Sequence, residues 1–319
     1  MRSPAETPPP SPDSGSTLLP AAPEREATQP TAPGQAQAPE PRAARSARLE
    51  AAARLLGDES NEVRVALLGE FRRAGKSGRP LLESASRGDD PRARSHARAL
   101  LDTLDRDAVL RRLLRYAARP DMDFETAYFL LSQLERPSFD ARPYRAALDA
   151  MAKRVEQRTA HLRDDLQRAQ ALVKYLGTEL GFSGDVESYT QPDNLFLHRV
   201  IERKQGLPLS LCAVYSFVAK RCGLQTGIVP LPGHVMLRLY GSHQNWIVDP
   251  FHGGESRSQD ELIDYLRDHG LRFNPVWMHD AGARQLFRRQ VANLQNSWRS
   301  VGQRGRARSL APLLRLLGR

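Results

Sequence analysis

The hydrophobic period of this 319-residue chain changes near Gly223, and that change limits the folds open to it. Upstream, apolar residues recur at helical spacing, ending in a segment over 208–222 that Gly223 terminates. Downstream, three β-like runs follow at 226–231, 234–240 and 245–248, with Pro232-Gly233 and Gly241-Ser242 at the turns. Beyond them the helical period returns. One helix feeding a short meander inside a helical chain predicts an α+β fold, mostly helical with a small antiparallel sheet.

Composition divides the rest. The first 42 residues hold 11 of the 23 prolines and little that is apolar, so 1–45 reads as a disordered tail. Residues 46–118 read as helix pairs. Val63, Leu67, Leu68 and Phe71 share one face, and Asp90-Pro91 opens a helix with a stripe of Ala93, Ala97, Leu100, Leu101 and Leu104. From 119 to 280 the pattern predicts a helix capped by Asp121 with Phe124, Ala127, Tyr128 and Leu131 inward, and another opened by Asp140. An amphipathic helix over 164–180 stops at Gly181, a short helix covers 193–204, and Ser258-x-x-Glu261 forms a capping box. Residues 281–319 predict two helices, 284–300 and 306–317.

Several function classes lack support. There is no signal-peptide pattern and no apolar run of ~18–20 residues to span a membrane, so a soluble, cytoplasmic protein is expected. Cys212 and Cys222 offer no zinc spacing or disulfide framework, the histidines show no paired metal spacing, and no phosphate-cradling glycine motif occurs. No metal or other cofactor is expected. The net charge of +10 is concentrated: residues 284–319 carry nine arginines and no acid. Such an end suits an acidic partner or nucleic acid, or is a solvated face in a chain that prefers Arg to Lys, 42 to 5.

One constellation has chemical logic. Cys212 lies early on a helix, His234 begins the second β-run, and Asp249 closes the third. A thiol at a helix start, an imidazole to take its proton and a carboxylate to orient the imidazole make a nucleophilic triad. Cys212 also reads as a small buried apolar residue. Ser210 is either a groove hydroxyl or a first-turn cap of its own helix. Arg238, four residues along the strand from His234, either binds an acidic group or pairs with a carboxylate.

Gly206-Leu-Pro208-Leu-Ser210-Leu211, Pro232-Gly233-His234-Val-Met-Leu-Arg238 and Asp249-Pro250-Phe251-x-Gly253-Gly254 resemble the SirB-type proteins of the transglutaminase-like superfamily. Gly181-Phe182-x-Gly184 and residues 194–203 fit the same pattern, so the resemblance runs from about 121 to 268. The segment before it resembles a HEAT-type repeat, and the last helices are similar to a shortened tetratricopeptide-like tail. The resemblance implies a papain-related core with His234 and Asp249 at two triad positions. The cysteine position of active superfamily enzymes falls on Pro208, which has no nucleophile. Cys212 lies four residues later, about 40° round the helix and ~6 Å deeper. Two functions are therefore expected to compete. One is a non-catalytic regulatory or protein-interaction scaffold binding a protein or peptide. The other is a cysteine-dependent amide hydrolase or acyl transferase using Cys212, His234 and Asp249.

Overall fold

The computed structural model of the chain describes residues 41–318, and the tail expected over 1–45 lies almost wholly outside them. Contacts divide the chain into Met1–Ser46, of which only 41–46 are described, and Ala47–Arg319. Helix α1 (Arg42–Arg54) runs across that division. Its buried residues, Leu49 and Ala52, belong to the second unit, as does everything below.

Helices α2 (Asn61–Ala74), α3 (Arg79–Ala85) and α4 (Pro91–Ala117) come next, the first and last of them opened by side-chain caps. Ser60 accepts from Val63 N, and Asp90 accepts from Arg92 N ahead of Pro91. Leu56, Leu67, Phe71, Leu82 and Ala97 bury together, with Val63, Leu100, Leu101 and Leu104 packed against them. Helix α4 is 27 residues long, and its far end enters a second, larger core through Val109, Leu113 and Ala117.

That larger core is built on α5 (Phe124–Ser132), α6 (Arg142–Thr159), α7 (Asp165–Lys174), α8 (Leu197–Arg203) and α9 (Pro208–Arg221). Asp123, not Asp121, caps α5 by accepting from Thr126 N, while Asp121 pairs with Arg119 at 2.7 Å. Asp140 accepts from Arg142 N as expected. The helix expected over 164–180 changes character: α7 gives way to a π-turn at Tyr175–Glu179. A side chain on Gly177 would collide there with the Gly253 carbonyl. Residues 193–204 fold as a 3₁₀ turn, Pro192–Leu195, then α8.

Strands β1 (Ser183–Gly184) and β2 (Gln205–Gly206) make one short parallel pair. The main sheet runs β3 (Thr226–Val229), β4 (Met236–Tyr240), β5 (Asn245–Asp249) and β6 (Glu255–Ser256), all antiparallel neighbours. Leu237, Leu239 and Val248 join the core that contains α9. Met236 and Val229 instead pack with Leu262 of α10 (Gln259–Asp268) in a smaller cluster. Helix α10 carries the expected capping box, Ser258 with Glu261.

Helix α11 (Ala283–Ser300) is followed by α12 (Arg304–Ser309) and α13 (Ala311–Leu317), so the last expected helix is broken near Leu310. Leu286, Phe287, Val291, Leu294, Trp298, Leu310, Leu313 and Leu317 all enter the large core. That core therefore continues across residues 280 and 281 without a break. Two of the basic residues here serve it directly. Arg284 donates to the carbonyls of Ala117 and Leu316, and Arg289 to those of Leu231 and His234. No helix among the described residues is long and apolar enough to cross a membrane.

Candidate functional site

Helix α9 starts where Leu207, in extended conformation, hands over to Pro208 at the first helical position. Its first eight residues, 208–215, are all buried, so this is a central helix wrapped on every side. Its buried N-terminal end borders a hollow. There Leu207, Pro208 and Leu209 line a pocket of about 370 Å³ together with Gly233, His234, Val235, Arg289 and Asn293.

His234 stands two residues before β4, not on the strand as expected, in the turn that Gly233 makes with φ +77°. Its Nε2 donates to Asp249 Oδ2 at 2.8 Å. Asp249 ends β5 and its Oδ1 accepts from Phe251 N at 3.0 Å, fixing the carboxylate over the next turn. Its Oδ2 also accepts from His252 Nδ1 at 2.7 Å. Burial works against ionising Asp249, but the His234 and His252 bonds outweigh it and hold the carboxyl below its ordinary range. The pair is therefore an ionised carboxylate that orients an imidazole at the pocket wall.

Cys212 is fully buried and absent from that wall. Its thiol donates to the Val235 carbonyl at 3.5 Å. Burial first, then the nearby Asp249 charge, pushes the thiol well above its usual pKa, so it is held protonated. The one-turn offset from Pro208 is the reason: at the second turn of a fully wrapped helix, the same angular direction no longer reaches solvent.

Ser210 is also off the pocket and fully buried. It neither lines the groove nor caps its own helix. Its Oγ donates to Asn194 O at 2.8 Å and accepts from Tyr128 Oη at 2.7 Å. Gln290 Nε2 donates to Tyr128 Oη at 2.7 Å and Leu195 O at 2.9 Å. This buried network ties α5, α9 and α11 together, and burial raises the Tyr128 hydroxyl pKa. Arg238 lies on β4 but lines a different hollow. Its Nη1 pairs with Asp280 Oδ1 at 2.6 Å, Nη2 donates to Met278 O, and Tyr240 Oη donates to the same Asp280 carboxylate. Arg238 and His234 do not share a strand face, because His234 is not in the strand.

Residues 142–292 match the model of the transglutaminase-like superfamily. A UPF0162 protein of Xylella fastidiosa is 31% identical over 140 residues, 44% of this chain and 50% of its own length. Protein SirB1 of Salmonella typhimurium is 24% identical over 153 residues, covering 46% of this chain and 56% of that protein. Residues 142–292 form a transglutaminase-like domain of the SirB type. A shorter likeness, 33% over 72 residues, links 23% of the chain to 12% of mouse F-box only protein 21. The chain spans about half the length of the first of these curated relatives, and no solved structure matches it.

Two contributors to this SirB-type site were missed in the sequence. His252 was one histidine among several without useful spacing, yet Asp249-Pro250 opens a 3₁₀ turn, Pro250–His252. In such a turn residues three apart eclipse, which is the signal that joins Asp249 to His252. Together with His234 they place three potential ligand atoms within 4.8 Å of one another, a donor set of two imidazoles and a carboxylate that suits zinc. Arg289 was the other, counted only as part of the basic end.

Proposed function

We propose that this chain is a non-catalytic binding protein that uses its transglutaminase-like pocket to hold a peptide segment of a partner. One observation supports this most. Pro208 lines the pocket together with the oriented His234, while the nearest thiol, Cys212, is buried and donating to a backbone carbonyl. A nucleophile must reach its substrate and lose its proton to the base. Pro208 has no side-chain proton to give, and Cys212 has a proton but no access. Proline also removes the backbone N–H that a helix start offers to a developing oxyanion.

The helical hairpins before this domain, and the arginines exposed on α11 and α12, add surface for protein contacts in this reading. An acidic partner suits that end better than a nucleic acid. Arg284 is committed to carbonyls, and Arg306 lies over the Trp298 ring at 5.9 Å.

The test is thiol reactivity. The native full-length chain, treated with iodoacetamide across pH 5–9, is expected to leave Cys212 unlabelled until denaturant is added. Rapid labelling of Cys212 below the ordinary thiol pKa of about 8.5, lost in His234→Ala, would overturn the scaffold reading. It would establish the cysteine-dependent hydrolase or acyl transferase using Cys212, His234 and Asp249.

A further inference from the structure

The pocket beside Pro208 has a charge that its own walls do not answer. Its lining residues include Arg289 and His234 but no Asp or Glu. Arg289 sits at the inner side of α11, and burial lowers its pKa from the usual guanidinium value. Among the described residues it makes no ion pair with a carboxylate. Its hydrogen bonds go from Nη2 alone, to Leu231 O at 3.0 Å and His234 O at 2.9 Å. A guanidinium carries five N–H donors, so Nε and Nη1 keep three for something else. Half-buried arginines elsewhere in this chain are matched: Arg221 with Glu125 at 2.7 Å and Arg203 with Asp185 at 2.9 Å.

Resting on the binding-pocket reading above, we propose that Arg289 is the anchor for a carboxylate carried by the bound peptide. The two bonds to Leu231 and His234 fix the guanidinium plane without neutralising it, which leaves an oriented cation at the pocket wall. One turn further along α11 comes Asn293, whose side-chain amide has no partner among the described residues, followed by Asn296, Ser297 and Ser300. They line the same wall at helical spacing. The Ser297 and Ser300 hydroxyls already donate to Thr190 O and Ser297 O, so Asn293 and Asn296 are the side chains that suit the amides of an extended segment leading away from the carboxylate. Leu207, Pro208 and Leu209 form the apolar side, and Tyr189 is exposed at the rim. A carboxylate fits better than a phosphate. The planar guanidinium matches it in a two-pronged contact, whereas only one arginine and one histidine are present to meet a dianion.

Three peptides resolve the claim on the full-length chain by ¹H–¹⁵N NMR, following the Arg289 side chain and the Asn293 amide. Acetyl-Ala-Leu-Ala with a free C-terminus tests a chain-end carboxylate, and acetyl-Ala-Leu-Glu-amide tests a side-chain one. Acetyl-Ala-Leu-Ala-amide is the neutral control. One acidic peptide is expected to shift both signals and to bind at least about tenfold more tightly than the control, and Arg289→Gln should remove that advantage. Arg289→Lys should keep part of it, which separates lost charge from a disturbed fold. Equal binding by all three peptides would refute the carboxylate anchor while leaving the binding pocket intact. Binding by none, with wild-type signals unmoved, would refute both.

Discussion

Ending the chain after Asp280 will unfold the SirB-type domain rather than free it of a basic appendage. The lost segment supplies eight large apolar side chains to the main core, from Leu286 and Phe287 through Trp298 to Leu317, each no more than 6% exposed. Burying such a side chain contributes roughly 1.5–3 kcal/mol, so the loss exceeds about 10 kcal/mol even by the lower figure. Net stabilities are only about 5–15 kcal/mol. The truncation also removes Gln290, the donor to the buried Tyr128 hydroxyl and Leu195 carbonyl. Thermal unfolding followed by near-UV circular dichroism should show a cooperative transition for the full chain and none for the truncated one. A truncated chain melting cooperatively within about 5 °C of the full chain, a shift equivalent to only a kcal/mol or two, would contradict this assignment of the core.

Gly177→Ala should cost about 3 kcal/mol or more, at the upper end of overpacking effects. A Cβ at Gly177 runs into the Gly253 carbonyl and the Tyr215 hydroxyl, and the first of these is backbone that has no rotamer to escape by. Residue 177 lies in the π-turn, and Gly253 lies in the turn that follows Asp249. The strain therefore falls on the turn that carries His252 to Asp249. Gly69→Ala is the matching control. Gly69 lies on α2, and a methyl added there would have nothing within 4 Å, so the change should stabilise by up to about 1 kcal/mol. Opposite signs in the two melting temperatures, with the fall several times the rise, are the expected result. A Gly177→Ala protein as stable as wild type would show that the two turns are not in contact.

The class of fold was legible because its signals are local. Caps at Asp90 and Ser258 and the turn glycines mark their elements within a few residues of chain. The His234–Asp249 pairing was also within reach, since two antiparallel strands with a short turn bring their outer ends together. Whatever depended on a third packed element was not legible. Angular position on α9 placed Cys212 toward the groove, but elements packed on every side of that helix decide access. Arg238 was assigned by alternation along a strand that begins only at Met236, and its partner Asp280 is 42 residues away.

Charge was misleading for the same reason. Nine arginines without an acid read as a binding end or a solvated face, yet Arg284 and Arg289 turn inward to carbonyls of distant segments. Sequence spacing gave a hint: on α11, Arg289 follows Leu286 by three and borders the stripe of Phe287, Gln290, Val291 and Leu294. A residue at the edge of an apolar stripe has its stem buried and its head free to bend toward either side.

In the proposed function the pocket keeps a base and its orienting carboxylate while Pro208 has displaced the nucleophile. Pro208→Cys tests this directly, by placing a thiol at the start of α9 in the pocket that His234 also lines. Beside an imidazole and a helix N-terminus, cysteine pKa values fall to about 3.5–7.5. At pH 6.5 the introduced cysteine should therefore alkylate roughly 10- to 50-fold faster than a free thiol of ordinary pKa, with the excess lost in Pro208→Cys combined with His234→Ala. An introduced cysteine no faster than a free thiol, or one indifferent to His234, would contradict the account.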